Sequence, residues 1–208
     1  MVKKAAIPTI YDLKPAFQSL LRPACRALVG AGVTANQVTL AAAALSAAAG
    51  ACVAARPAAR WPLLLLPAAL FVRMALNALD GMMAREHAMK TRLGAILNEI
   101  GDVVSDAALY LPLAAVPGLR PALVVLAVLL GTISEMTGVV AVQIGAGRRY
   151  DGPMGKSDRA FAFGALGLAL GLGAPAGRWT DAVLGAVALL LAATIVNRAR
   201  AELREAPR

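Results

Sequence analysis

Charge is scarce in this 208-residue chain, at 16% of residues, and aromatic side chains are scarcer, at 4%. Ordinary soluble domains carry about 25% charged residues, so a water-soluble globule is excluded. There is one histidine, His87, and there are two isolated cysteines, Cys25 and Cys52, with no zinc-ligand spacing. The cysteines read as reduced packing thiols and His87 as a loop side chain facing solvent. Acidic residues number 12 against 21 basic ones, a net charge of +9. A nucleic-acid binder would need a basic stripe with interleaved aromatics. Here the basic residues punctuate apolar runs, which makes nucleic acid an unsuitable partner. The opening MVKKAAIPTIYDLKPAF has no unbroken apolar run and no cleavage site, and reads as mature sequence.

What the chain does have is apolar length, with 59% hydrophobic residues. A helix of about 20 apolar residues spans a bilayer, and six such stretches are predicted: 35–55, 61–84, 94–116, 121–145, 159–175 and 179–199. Ahead of them Leu13, Phe17, Leu20, Leu21, Ala24 and Leu28 recur at helical spacing between Lys14, Gln18, Arg22 and Arg26. That pattern predicts an interfacial helix on an anionic leaflet, kinked or divided at Pro23. The connections sort by charge, with 16 of the 21 basic residues on the side of the two termini. By the positive-inside rule both termini are cytoplasmic. The predicted fold is therefore all-α integral membrane: six transmembrane helices plus an N-terminal amphipathic juxtamembrane helix. It forms one membrane domain, with an arm at 1–34, a bundle at 35–199 and a tail at 200–208. Ala and Gly crowd the spans, including Gly164, Gly167 and Gly171, and favour close helix packing in lipid.

Carboxylates inside such spans are costly and mark function by default. Asn77 and Asp80, three residues apart, share a face at the cytoplasmic end of the second span. Asn98, Asp102 and Asp106, four apart, form one stripe on the third. A short basic loop joins the two helices, so they should be antiparallel neighbours with facing polar stripes. Oxygen ligands without His or Cys companions suit Mg²⁺ or Mn²⁺. Gly81 admits a close backbone or phosphate approach, and Arg85 offers a planar fork for phosphate oxygens. Glu135, midway along the fourth span, is a further intramembrane carboxylate, either functional or paired with Arg73. Arg148, Arg149, Lys156 and Arg159 cluster in and beside the fourth-to-fifth connection, either to set topology or to grip a phosphate.

These residues resemble the signature of the CDP-alcohol phosphatidyltransferase family, D-x-x-D-G-x-x-A-R, eight residues, then G-x-x-x-D-x-x-x-D. The chain has Asn77, Asp80, Gly81, Ala84 and Arg85, then Gly94, Asn98 and Asp102, at that spacing. Asn36 and Thr39 match an Asn-x-x-Thr often found at the start of the family's first span. The first and third aspartates are asparagine here, a pattern similar to the YnbA-type branch of the family. Each asparagine keeps a carbonyl oxygen and loses a negative charge, which suggests an altered metal site.

The resemblance implies a membrane transferase of phospholipid biosynthesis in the bacterial inner membrane, its site facing the cytoplasm. A phosphatidyl or related group would pass from a CDP-linked lipid, such as CDP-diacylglycerol, to an alcohol or alcohol-phosphate acceptor, releasing CMP. It implies Asp102 as the base. Asn77, Asp80, Asn98 and Asp102 would be the metal ligands, with Asp106 one turn deeper able either to restore some charge or to pair with an Arg or Lys. Gly81, Ala84, Arg85 and Thr91, with Asn36 and Thr39, would frame the cytidine nucleotide. Membrane lipid and a second copy in a homodimer are the other implied partners. Two rival readings stand beside this one: a silent relative that binds nucleotide or lipid for a partner enzyme, and a small transporter using Asp102, Asp106 and Glu135.

Overall fold

The computed structural model describes residues 14–206, all helix and connecting loop. Seven α-helices follow in order: α1 Lys14–Gly30, α2 Ala35–Ala55, α3 Trp61–Glu86, α4 Arg92–Tyr110, α5 Pro121–Val140, α6 Lys156–Gly171 and α7 Arg178–Glu205. Among the described residues, four stretches are long and apolar enough to cross a membrane: α2, α3, Pro121–Ile144 and α7. The other two expected spans are helical but fall short. In α4, Glu99, Asp102 and Asp106 break up the apolar run, and α6 has 16 residues.

The helix ends follow from local chemistry. Thr34 caps α2 in a capping box, accepting from the Gln37 amide while the Gln37 side chain accepts from the Thr34 amide. Thr91 caps α4 by accepting from Gly94 N at 2.8 Å. The third stretch was expected to run to residue 116. It leaves the α-helix at Tyr110 and continues as a 3-10 turn, Leu111–Ala115, because Pro112 lacks the amide that an α-helix needs there. Pro23 does not divide α1 into two elements; one helix passes through it. The link from α3 to α4 is short, and Ala88 within it takes a left-handed φ of 55°.

Packing places α2 against α3 and α4, α3 against α6, α5 against α7, and α1 along α3. The second and third expected spans, α3 and α4, are therefore not the close-packed neighbours that their short loop suggested; α2 packs against both, and long polar side chains bridge α3 to α4. The main core is aliphatic, with Leu66, Leu109, Leu113, Val124, Leu184 and Leu191 essentially unexposed. Tyr110 and Phe163 stack within it, ring centres 4.0 Å apart. Small residues bring the helices together at defined points. A Cβ on Gly50 would collide with the Ala108 carbonyl of α4, and one on Gly167 would lie 3.1 Å from the Leu63 carbonyl of α3. A smaller core gathers Cys25, Val38, Leu79, Met82 and Met83 where α1 meets α2 and α3. Both cysteines are free, and Cys25 is buried there, where desolvation raises its thiol pKa. The Arg22–Glu86 ion pair, 2.7 Å, ties the same junction. Outward faces carry large apolar side chains, as on α4 at Leu93, Ile96, Ile100 and Val104.

Candidate active site

The end of α3, the first three turns of α4 and the start of α2 bring most of the expected residues together. Asp80, on the last turns of α3, is buried, and Oγ1 of Thr39 on α2 donates to its Oδ2 at 2.8 Å. Across from it on α4, Asp102 is partly open. Asn77 Nδ2 donates to Asp102 Oδ1 at 3.5 Å, a long bond that leaves the Asn77 carbonyl oxygen available. Lys156 Nζ, at the first turn of α6, also pairs with Asp102 Oδ1, and Arg73 lies 3.7 Å from that same oxygen. Among the described residues every polar contact of the Asp102 carboxylate falls on Oδ1, so Oδ2 is left to accept.

Around this pair the helix starts interlock. Asn36 Nδ2 donates to Thr91 Oγ1 at 3.3 Å, joining the first turn of α2 to the cap of α4. Gly94 makes room for that bond, since a Cβ there would stand 2.6 Å from Asn36 Oδ1. Arg85 is exposed and folds back, its guanidinium 3.1 Å from where a Gly81 Cβ would be. Ala84 packs against the small core beside α1. Asn98 is exposed, one turn before Asp102 on the same stripe.

Asp106 stands apart from this group in chemistry, if not in sequence. Its Oδ1 accepts from Arg73 at 2.5 Å and its Oδ2 from Arg159 Nε at 2.9 Å. Both oxygens therefore serve guanidinium groups. Glu135 does not pair with Arg73; it lies instead among Arg148, Arg159 and Arg198, at 2.9, 3.0 and 3.6 Å. Arg148 also grips Glu99 through two bonds, 3.0 and 2.9 Å. Burial alone would lower the Arg148 pKa, but the bonds to Glu99 and Glu135 outweigh it, and the net shift is upward. Spacing along one helix did not identify these partners, nor Lys156 on Asp102, because each arrives from another helix or from the α5–α6 connection.

No group of three or more His, Cys, Asp or Glu side chains that could hold a metal forms among the described residues. What converges is a pair of carboxylates, Asp80 and Asp102, with the Asn77 amide beside them. That donor set still fits Mg²⁺ or Mn²⁺, which commonly takes one or two carboxylates and completes its shell with water and substrate phosphates.

The pattern of CDP-alcohol phosphatidyltransferase matches residues 32–197, about four-fifths of the chain. The chain belongs to that family. Among relatives, the inner membrane protein YnbA of Escherichia coli (strain K12) is 49% identical over 197 residues, covering 94% of this chain and 96% of the relative. The family fold recurs in the phosphatidylinositol phosphate synthase PgsA1 of Mycobacterium tuberculosis. With manganese and citrate bound, that enzyme superposes at a TM-score of 0.74 and 21% identity over 89% of each chain. With CDP-DAG bound the score is 0.68 at 22% identity, over 88% of this chain and 91% of that one. At such identity the likeness is one of fold. The family signature in the present chain coincides with the Asn77–Asp102 site described above, with asparagine at its first and third aspartates.

Proposed function

We propose that this protein transfers a phosphatidyl or related phospho-alcohol group from a CDP-linked lipid to an alcohol, with release of CMP. The observation that carries this is the Asp102 carboxylate, fixed through Oδ1 by Asn77 and Lys156 while Oδ2 stays open. It closes a run of residues whose spacing is similar to the CDP-alcohol phosphatidyltransferase signature, within the 32–197 match. Asp102 Oδ2 takes the proton of the acceptor hydroxyl. The hydroxyl oxygen bonds to the lipid-proximal phosphorus, the bond from that phosphorus to the CMP oxygen breaks, and CMP leaves. Arg85 and the helix starts at Asn36 and Thr91 hold the nucleotide side, with Gly81, Ala84 and Thr39 shaping its seat. A divalent cation at Asp80, Asp102, Asn77 and Asn98 would offset the charge of the donor's diphosphate. Asp106, saturated by two arginines, is left out of that ligand set.

The same reading places α2 to α7 as six membrane spans, α4 and α6 being carried by their neighbours, with α1 along the interface. The charge asymmetry of the loops puts both termini and the site on the cytoplasmic side. One assay tests the reaction: CMP release from CDP-diacylglycerol with a pool of alcohols, the lipid product identified by mass spectrometry. Asp102→Asn should keep CMP binding and slow turnover at least ~100-fold, as loss of a general base does. Full turnover by that variant, or by the native protein in excess chelator, overturns the assignment. CMP binding with no turnover and no metal uptake would favour the silent relative.

A further inference from the structure

The cations beside Asp102 are where an anionic acceptor would be held: Arg148, Arg149, Lys156 and Arg159 all lie on or next to the α5–α6 connection. Each is already tied to a carboxylate of the chain. Arg148 holds Glu99 and Glu135, Arg149 holds Asp151 at 3.2 Å and Glu205 at 3.0 Å, Lys156 holds Asp102, and Arg159 holds Asp106 and Glu135. Arg198, reaching in from α7, closes the group. Its Nε donates to the Asp151 carbonyl at 3.0 Å, its NH1 to the Ser134 carbonyl, and it lies 3.6 Å from Glu135.

Glu135 is the centre of this arrangement. Three guanidiniums surround one carboxylate, with Arg159 and Arg198 about as buried as any residue in the chain. The cavity lined by Asp106, Glu135 and Arg159 measures about 10 Å³, room for roughly one water. A phosphate entering here would have to expel a buried carboxylate or sit beside it, and like charges brought together on a desolvated site are strongly disfavoured. Repulsion of the wrong ligand is a common way to build specificity.

We propose that Glu135 is a resident anion that occupies this arginine cage and restricts the acceptor to alcohols carrying no phosphate. This rests on the transfer reaction proposed above and adds the acceptor class to it. Glu135 acts through the arginines and touches no reacting atom, so it is a specificity residue and not a catalytic one.

The test has two arms. In the first, detergent-solubilised protein is titrated with sodium phosphate, against sodium chloride of equal ionic strength, while thermal unfolding is followed. The native protein should show no phosphate-specific shift, and Glu135→Gln, which keeps the shape and drops the charge, should gain a saturable upward one. If that variant does not fold, Glu99→Gln frees one of the two carboxylate contacts of Arg148 at a more exposed position and should show a smaller gain. In the second arm, CDP-diacylglycerol is offered with matched pairs, glycerol with glycerol 3-phosphate and inositol with inositol 1-phosphate. Within any pair that reacts, the native protein should favour the free alcohol at least ~100-fold. Preference for the phosphate ester, or saturable phosphate binding by the native protein that Arg148→Ala removes, overturns the proposal. If no acceptor reacts at all, the transfer reaction is what fails, and the phosphate titration still decides whether the cage is filled.

Discussion

At one end of the bundle Leu63, Leu66, Leu113, Leu170 and Leu184 pack without a single buried ion pair among them. At the other, Arg73, Arg159 and Arg198 are withdrawn from solvent against Asp106 and Glu135. The aliphatic end depends on close fit, as where Gly167 meets the Leu63 carbonyl, but its contacts are not directional. Those of the charged end are. A buried ion pair is no strong source of stability, yet removing one partner leaves the other uncompensated. The comparison teaches where each kind of packing is useful: the aliphatic half sets the helix positions, and the ionic half sets side-chain orientation around Asp102.

Arg159→Leu should be the most damaging way to break this contrast, because it strips a partner from Asp106 and Glu135 at once. A loss of about 3–5 kcal/mol is expected, read from chemical unfolding in detergent, together with loss of CMP release. A loss below about 1 kcal/mol would mean that water already reaches the cage and that the ionic half is not buried as described.

Leu66→Ala sharpens the same contrast from the aliphatic side. It should cost about 2–5 kcal/mol by leaving a cavity, while the CMP affinity of the protein that remains folded stays near native. A drop in CMP affinity would show that the two halves are not separable.

Arg120→Ala should matter least. Arg120 pairs with Asp181 at 2.9 Å on the side opposite the site, and its side chain is 72% exposed. A pair of that kind contributes about 0.2–1 kcal/mol, so both stability and CMP release should stay close to native. A large effect would reveal burial of that end that the isolated chain lacks.

What the sequence revealed of all this divides by the range of the interaction. The grouping of Asp80 with Gly81 and Arg85 and the stripe of Asn98 and Asp102 depend on neighbours within a turn or two, and were legible as spacing. The end of α4 was legible in principle: Pro112 marks it, but the apolar run continues past it to Val116 and hides the break. Partner choice across helices was not legible. Arg73 and Glu135 are buried charges in the second and fourth predicted spans, and opposite sign made them a candidate pair. Packing decides otherwise, since Arg73 meets Asp106 on α4 while three other arginines reach Glu135. Asn98 is the site residue whose exposure in the folded chain no pattern foretold.

The Arg73–Asp106 pair also bears on how such a chain enters a membrane. On the six-span reading, α4 would bring Glu99, Asp102 and Asp106 into the bilayer, at roughly 2.5–3.5 kcal/mol for each carboxylate near mid-depth on insertion scales. As a lone segment it is a poor substrate for insertion. Its connection to α3 is short, however, and Arg73 of α3 meets Asp106 at 2.5 Å. Entering together with α2, which packs against both, the two segments would cancel a charge each before either faced lipid. The unit of biogenesis at this point in the chain is then α2 with α3 and α4, and Arg73 contributes to the arrival of the site in the membrane as well as to its final geometry.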